Sequence, residues 1–262
     1  MRVHVVSDIH GNAEALARAG EGADALVVLG DLLDFVNYHD HSGGILGALF
    51  GAEKVAVFAR LRSERRHAEV AAYASSLWTS LPDPVEVIES AVRDQYTRLF
   101  AALTAPTYAT PGNVDVPALW PQFAGQSVRM LDGQAIDIGG LRFGFVGGAL
   151  LPPTVRGRRG PGFRPYLRSE EEYTAAVRQL DRVDVLCSHI PPDVAELTYD
   201  VQARRAELGS RALLEFIHAQ APRWSIFGHV HQPMAARMRV ARTECANVGH
   251  FQRTERPYVL RW

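Results

Sequence analysis

The stretch Ser225-Ile226-Phe227-Gly228-His229-Val230-His231-Gln232-Pro233 places two histidines directly after a short apolar run. An apolar run that ends in glycine is typical of a buried strand leaving its sheet. His229 and His231 are two positions apart, so they share one face of an extended segment and can point into one pocket. Neutral imidazole is a common metal ligand in proteins. The pair alone fits two exposed loop histidines equally well, so its meaning depends on the rest of the chain.

Polar residues also follow four earlier predicted strands, each at the point where the strand ends. They are Asp8 and His10 after the strand at 3–7, Asp31 after 25–29, Asn113 after 107–110, and His189 after 183–187. Ligand sites of open α/β sheets lie beyond the carboxyl ends of the strands. Taken singly, each group is as consistent with a capping or exposed residue. Together with His229 and His231 they predict one shared site at a sheet edge.

The combined set offers two carboxylates, one amide and four imidazoles, which suits Mn, Fe or Zn. The absence of thiolates in the set argues against a structural zinc site. The set is too large for one four-coordinate ion, whereas two ions about 3.5–4 Å apart need such a set with a bridging carboxylate. Such a pair polarises a phosphoryl oxygen and lowers the pKa of a bound water.

Local patterns between these strand ends predict an α/β fold. Helix-start signals stand at Asn12, at Asp83-Pro84, at Ser169 with Glu172, and at Ser210. Residues 52–80 show helical spacing, so 35–106 is predicted to be a helical insertion over the site. The dipeptides at 132–133 and 139–140 predict two hairpin turns joining strands at 127–131, 134–138 and 141–146. The segments at 234–240, 243–248 and 257–262 are predicted as short antiparallel strands.

Composition sets outer limits on the class of protein. The chain has 262 residues, of which 47% are apolar and 22% charged, and its formal net charge is −1. One large domain over 1–262 is predicted, with no general attraction to nucleic acid or membrane. No run approaches the ~18 apolar residues of a membrane span, and no secretory signal pattern opens the chain, so a cytoplasmic protein is expected. Cys187 and Cys245 are predicted to be buried free thiols, with a disulfide as the alternative.

The motifs, in their order and strand-end context, resemble those of the calcineurin-like metallophosphoesterases over nearly the whole chain. The motifs are Asp8-Ile9-His10, Gly30-Asp31-Leu32-Leu33-Asp34, Gly112-Asn113-Val114-Asp115, Ser188-His189 and Gly228-His229-Val230-His231, with Asn247-Val248-Gly249 similar to a later motif of small bacterial members. The resemblance implies a four-layer α/β/β/α sandwich with a dinuclear centre. It places one metal on Asp8, His10 and His231, the other on Asn113, His189 and His229, and Asp31 between them. The predicted catalytic residues are Asp31, Asn113, His189 and Asp115.

One position departs from the resemblance. Many members carry a histidine after the asparagine of the fourth motif, where this chain has Val114. Valine cannot donate a proton, and losing such a group typically costs about 10²–10⁴ in rate. Substrates with good leaving groups are therefore expected, or another acid is borrowed from His39, His41 or His250, for each of which an ordinary loop histidine is the alternative.

A basic segment after the predicted sheet strands offers a second candidate for substrate contact. Arg156, Arg158, Arg159 and Arg164 are candidates for binding a substrate phosphate, because guanidinium matches phosphate bidentately. A solvated loop is the alternative for all four.

The predicted function is a metal-dependent phosphoesterase, with a phosphodiesterase favoured over a phosphomonoesterase, acting on a small phosphorylated substrate such as a nucleotide. A nuclease of the same family is weakened by the near-neutral charge and the lack of an aromatic-basic stripe. A protein-interaction scaffold without catalysis and a phosphate-binding sensor are further alternatives. The presence of all seven ligand positions favours the enzyme. The helical insertion leaves room for a partner protein or a homodimer contact.

Overall fold

The computed structural model describes residues 1–152 and 162–262, which form mixed sheets flanked by helices. The strands are β1 (Arg2–Val6), β2 (Ala25–Val28), β3 (Thr107–Ala109), β4 (Val128–Met130), β5 (Gln134–Ile138), β6 (Leu141–Val146), β7 (Ala149–Leu150), β8 (Leu167–Arg168), β9 (Val185–Ser188), β10 (Tyr199–Asp200), β11 (Arg205–Ala206), β12 (Trp224–Phe227), β13 (Arg237–Val240), β14 (Thr243–Asn247) and β15 (Tyr258–Arg261). The helices are α1 (Ala13–Ala19), α2 (Gly44–Phe50), α3 (Ala52–Ser63), α4 (His67–Thr79), α5 (Pro84–Ala101), α6 (Glu170–Arg178), α7 (Ala195–Thr198), α8 (Arg211–Gln220) and α9 (Phe251–Thr254), with a 3₁₀ turn at Pro117–Gln122.

Two sheets carry the architecture. The first has the order β15-β1-β2-β3-β4, in which β1 to β4 run parallel and β15 pairs antiparallel with β1. The second has the order β13-β14-β12-β9-β6-β5, with parallel pairs at its centre and an antiparallel strand at each edge. The carboxyl ends of the parallel strands in each sheet therefore lie along one edge.

Alternating side chains stack the two sheets between two layers of helices. Val3 and Val5 of β1 pack between the sheets, against Phe143 and Phe145 of β6. Val6 turns to the opposite face, as strand alternation requires, and joins a second apolar cluster with the helices that precede β3. A third cluster packs α6 and α8 on the outer face of the second sheet. This order of helices, sheet, sheet and helices confirms the predicted four-layer α/β/β/α fold.

Helices fill most of the predicted insertion at 35–106. The segment 52–80 was predicted as one mostly helical stretch, but the structure divides it into α3 and α4. The break falls at Arg65, whose φ is 58°, a left-handed conformation that a helix cannot continue through. Helix α2 was not predicted from the sequence.

The predicted hairpin at Asp132-Gly133 is wrong. Strand β4 pairs in parallel with β3 in the first sheet, whereas β5 pairs with β6 in the second, so these two residues join the sheets. The Asp132 carboxylate instead accepts hydrogen bonds from the Gly147 N–H (2.9 Å) and the Tyr166 hydroxyl (2.9 Å). The second predicted turn, at 139–140, does join the antiparallel pair β5 and β6.

Two further predictions concern the cysteines and the membrane. Cys187 and Cys245 are both free and buried, which confirms the prediction of two buried thiols. Among the described residues, no helix combines the length and apolar character that crossing a membrane requires. The predicted cytoplasmic location stays a prediction.

Candidate metal centre

The polar residues that follow five strands converge where the two sheets meet. The residues after β1, β2 and β3 come from the first sheet, and those after β9 and β12 come from the second. The His189 Nε2 atom, from the second sheet, lies 3.5 Å from Oδ1 of Asp31, from the first. The predicted clustering of these strand ends is therefore present in the structure.

Asp8, His10 and His231 form the first group of potential metal ligands, with ligand atoms within 4.8 Å of one another. The Nε2 atoms of His10 and His231 are 3.3 Å apart, and His231 Nε2 lies 3.7 Å from Asp8 Oδ1. The backbone N–H of His229 donates to Asp8 Oδ2 at 2.9 Å, which ties the loop after β12 to the loop after β1.

Asp31, His189 and His229 form the second group, also within 4.8 Å. The Asn113 side-chain oxygen lies 3.1 Å from His189 Nε2, so the amide borders the same space. Asp31 lies between the groups, because its Oδ1 faces His189 and its Oδ2 lies 4.0 Å from His10 Nε2. One carboxylate thus contacts both groups, the position predicted for a bridging ligand.

Backbone carbonyls orient two of the imidazoles. His10 Nδ1 lies 3.1 Å from the Leu33 carbonyl, and His189 Nδ1 lies 2.7 Å from the Leu29 carbonyl. A carbonyl can only accept, so each Nδ1 carries the proton and each Nε2 is free to face the site. Metal-binding histidines are typically held in this way. Oxygen and imidazole donors converging from buried and part-buried positions fit a transition-metal cation.

The electrostatics of the site also favour a cation. Burial lowers the pKa of His189, but the carboxylates of Asp31 and Asp8 outweigh burial and raise that pKa to about 9. Burial raises the pKa of Asp31, yet the charge and hydrogen bond of His189 outweigh it and lower that pKa to about 2. Burial and the charge of His189 lower the pKa of His229 to about 4. The carboxylates of Asp8 and Asp31 thus stay ionised, and they stabilise positive charge in the space between the candidate ligands.

Several candidate ligands hold an unusual backbone conformation. Asp8, His10, Asp31 and His229 have φ values of 58°, 41°, 51° and 68°. Left-handed φ values are uncommon outside glycine, and such strain concentrates at functional sites. The sharp turns let each strand end direct its side chain back over the sheet edge.

Glycines let the loops approach the two carboxylates closely. A Cβ atom at Gly228 would overlap the Ser7 hydroxyl and Asp8 Oδ2, and a Cβ atom at Gly112 would overlap Asp31 Oδ1. Neither glycine has a left-handed φ that would itself demand glycine. Both positions therefore require glycine for space.

Gly228→Ala is expected to push the Asp8 carboxylate out of place and weaken Mn²⁺ binding about tenfold or more. Gly125→Ala is the matched control, because a Cβ atom there has no neighbour within 4 Å. Calorimetric titration of the metal-free variants with Mn²⁺ measures the effect. Equal affinity for the two variants would contradict the steric argument.

Asn247 shapes the loop that carries the paired histidines. Its side-chain N–H groups donate to the carbonyls of Gly228 (3.2 Å) and Val230 (2.9 Å), and its side-chain oxygen accepts from Gly249 N–H (3.0 Å). The 247–249 motif was noted in the sequence by resemblance alone. In the structure its asparagine holds the backbone of the loop that carries His229 and His231.

Asp115, predicted to be catalytic, is buried next to the loops that carry Asp31 and Asn113 and is 1% exposed. Its carboxylate accepts from the backbone N–H groups of Leu32 (3.0 Å) and Gly112 (2.8 Å). Burial and the charge of Asp31 raise the pKa of Asp115 to about 7. These contacts support a positioning role, because the carboxylate joins the loops that carry Asp31 and Asn113.

The helical insertion contacts the same loops through two residues of α5, which sequence patterns missed. Gln95 accepts from Asp34 N–H (2.9 Å) and donates to the Asp34 carbonyl (3.0 Å). The Tyr96 hydroxyl accepts from Val116 N–H (2.6 Å) and lies 3.4 Å from Asp115 Oδ1. The sequence signalled only Tyr96, through the helical spacing of apolar residues, and that spacing does not reveal a partner in another loop.

Val114 contacts the site through its backbone N–H and has no side chain that could donate a proton. Its N–H donates to Asp31 Oδ1 at 2.9 Å, and its side chain packs against the apolar cluster of the first helical layer. Of the histidines named as alternative acids, His250 is buried with its ring centroid 4.0 Å from that of His231. The His39 ring is exposed and lies 6.4 Å from that of His250, and no described ring contact joins His41 to the site.

The four arginines named as phosphate contacts stay a prediction. Arg164 is exposed. Arg156, Arg158 and Arg159 lie outside the described residues.

The sequence matches the family model for calcineurin-like phosphoesterases over residues 1–233. No curated protein matches the chain. The crystal structure of TT1561 of Thermus thermophilus aligns with a TM-score of 0.55 and 13% identity, covering 98% of this chain and 97% of that one. A further crystal structure aligns with a TM-score of 0.59 and 18% identity, covering 96% and 91%. These two likenesses show the fold, and the family match shows that the chain belongs to the calcineurin-like phosphoesterase family.

Proposed function

We propose that the chain hydrolyses a phosphodiester in a small molecule or nucleotide, using water activated at a dinuclear metal centre. The observation that carries the proposal is the position of Asp31, whose two carboxylate oxygens face two separate groups of ligands. Two groups of ligands that share one carboxylate suit a pair of metal ions. A site for a single ion needs only one group and no shared carboxylate.

Seven residues would hold the metals: Asp8, His10 and His231 on one side, Asn113, His189 and His229 on the other, and Asp31 between them. When bound, a pair of Mn, Fe or Zn ions polarises a phosphoryl oxygen and activates a water for attack. The protein contributes the rest by geometry. Carbonyls fix the tautomers of His10 and His189, and the Val114 N–H orients the Asp31 carboxylate.

The preference for a diester rests on the resemblance of Gly112-Asn113-Val114-Asp115 to the fourth motif of phosphodiesterase-type members, and Val114 adds a preference for good leaving groups. A monoester or diester with a poor leaving group needs a proton at the departing oxygen, and valine has none to give. Esters whose leaving groups are stable anions need no such proton. The same reasoning makes an aryl or otherwise activated ester the most responsive probe.

The test compares bis-p-nitrophenyl phosphate with p-nitrophenyl phosphate in the presence of added Mn²⁺. The proposal predicts faster turnover of the diester, and loss of turnover when a chelator removes the metal. Faster turnover of the monoester would assign the chain to the phosphomonoesterases. Binding of Mn²⁺ without hydrolysis of either ester would favour the scaffold or phosphate-binding alternatives.

A further inference from the structure

The segment 249–252 lies beyond the residues matched by the family model, yet it forms one wall of the candidate site. Its contacts with the loop after β1 are hydrogen bonds from Phe251 N–H to the Ser7 carbonyl (3.0 Å), from Gln252 N–H to the Asp8 carbonyl (3.0 Å) and from the Gln252 side chain to the His10 carbonyl (2.9 Å). A Cβ atom at Gly249 would overlap Asp8 Oδ2, so the backbone itself touches a candidate ligand. The first group of potential metal ligands is therefore enclosed in part by residues beyond the range that the family model matches.

His250 presents the face of its ring to His231. The two ring centroids are 4.0 Å apart with an interplanar angle of 19°, which is a stacked arrangement. The His250 ring also meets His10 edge-on, at 5.9 Å and 86°. The His250 residue is itself buried, with 6% of its surface exposed.

A hydrogen bond fixes the His250 ring in its plane. Its Nε2 atom lies 3.2 Å from the Gln252 side-chain oxygen, and the Gln252 amide nitrogen donates to the His10 carbonyl. The nitrogen lone pairs of an imidazole lie in the plane of its ring. Because the two rings are nearly parallel, the nitrogen lone pairs of His250 do not point at the ligand atoms beside His231. Neither described group of converging ligands includes His250.

His231 needs another means of orientation, and the stacked ring supplies one. His10 and His189 each have a carbonyl beside Nδ1, whereas no hydrogen bond of His231 Nδ1 occurs within the described residues. The His231 side chain is also 36% exposed, against 15% for His10 and 0% for His189, so the surrounding protein restrains it less. Without a protein partner on its second nitrogen, the His231 imidazole gains orientation from the side chains packed against it.

We propose that His250 is a positioning residue, whose ring face holds the imidazole of His231 with Nε2 directed at Asp8 and His10. The inference rests on the proposed function, in which these three residues bind one metal. The required chemistry is a planar aromatic face at position 250, and no proton transfer is involved.

Calorimetric titration of metal-free protein with Mn²⁺ tests the inference on four variants. His250→Ala removes the ring and is expected to weaken one of the two Mn²⁺ sites about 10-fold to 100-fold, the usual cost of losing an orienting contact. His250→Leu fills the space without a planar face and is expected to behave similarly. His250→Phe keeps the face and should bind within about threefold of wild type. His218→Ala, at an exposed position on α8, is the matched control.

The outcomes separate this inference from the proposed function. Thermal melting of each variant identifies any that fails to fold, and the Leu and Phe variants then carry the comparison. Normal Mn²⁺ affinity in the Ala and Leu variants, or a Phe variant as weak as they are, would overturn the inference while the dinuclear site stands. A wild-type protein that binds no Mn²⁺ would instead overturn the proposed function, and this inference with it.

Discussion

Asp31→Asn is expected to lower diester turnover on the order of 10³-fold, because the carboxylate that we propose bridges the two metals loses its charge. The amide keeps the size of the side chain and one carbonyl oxygen, so the loop after β2 should retain its shape. It offers only one oxygen where the carboxylate faces His189 and His10 with two. Turnover of bis-p-nitrophenyl phosphate and the Mn²⁺ content of the purified variant measure the effect, and fewer ions per chain are expected.

Asp94→Asn is the matched control for this substitution. Asp94 is exposed on α5, so its replacement removes the same charge away from the site. It should retain wild-type turnover and metal content. If Asp31→Asn also kept full turnover with its normal metal content, Asp31 would not bridge the two groups.

Asp115→Ala is expected to lower the free energy of unfolding by about 3 kcal/mol, since it leaves buried N–H groups without acceptors. The N–H groups of Leu32 and Gly112 both donate to this carboxylate. Those donors belong to the loops that carry Asp31 and Asn113, so metal affinity should fall together with stability. Urea denaturation of the metal-free variant separates the two effects.

Tyr96→Phe is a graded companion to the Asp115 substitution. It removes the hydroxyl that accepts from Val116 N–H and leaves the carboxylate in place, so the free energy of unfolding is expected to fall by about 1 kcal/mol.

An Asp115→Ala protein whose free energy of unfolding lies within about 0.5 kcal/mol of wild type would show that the buried N–H groups find other acceptors.

Features set by neighbours in sequence could be predicted reliably. Asn12, Asp83, Ser169 and Ser210 each accept a backbone N–H at the start of a helix, as their sequence contexts predict. A helix cap needs only the next two or three residues, so a single sequence contains the whole interaction. The strand ends were equally predictable, because an apolar run followed by a polar residue marks where a buried strand leaves its sheet.

Features that depend on partners distant in sequence could not be predicted. Asp132-Gly133 has the composition of a tight turn, yet pairing of β4 with β3 outweighs that local preference. The stacking of His250 on His231 joins two loops that are separated in sequence by β13 and β14. The hydrogen bonds of Gln95 and Tyr96 likewise depend on how the insertion packs against the loops that carry the candidate ligands.

The number of metal ions bound per chain tests the central claim most directly. Metal-free protein equilibrated with excess Mn²⁺, separated from free metal and analysed by elemental mass spectrometry, should contain two ions per chain. The two groups of ligands joined by Asp31 predict that value. A value of one or zero would contradict a dinuclear centre.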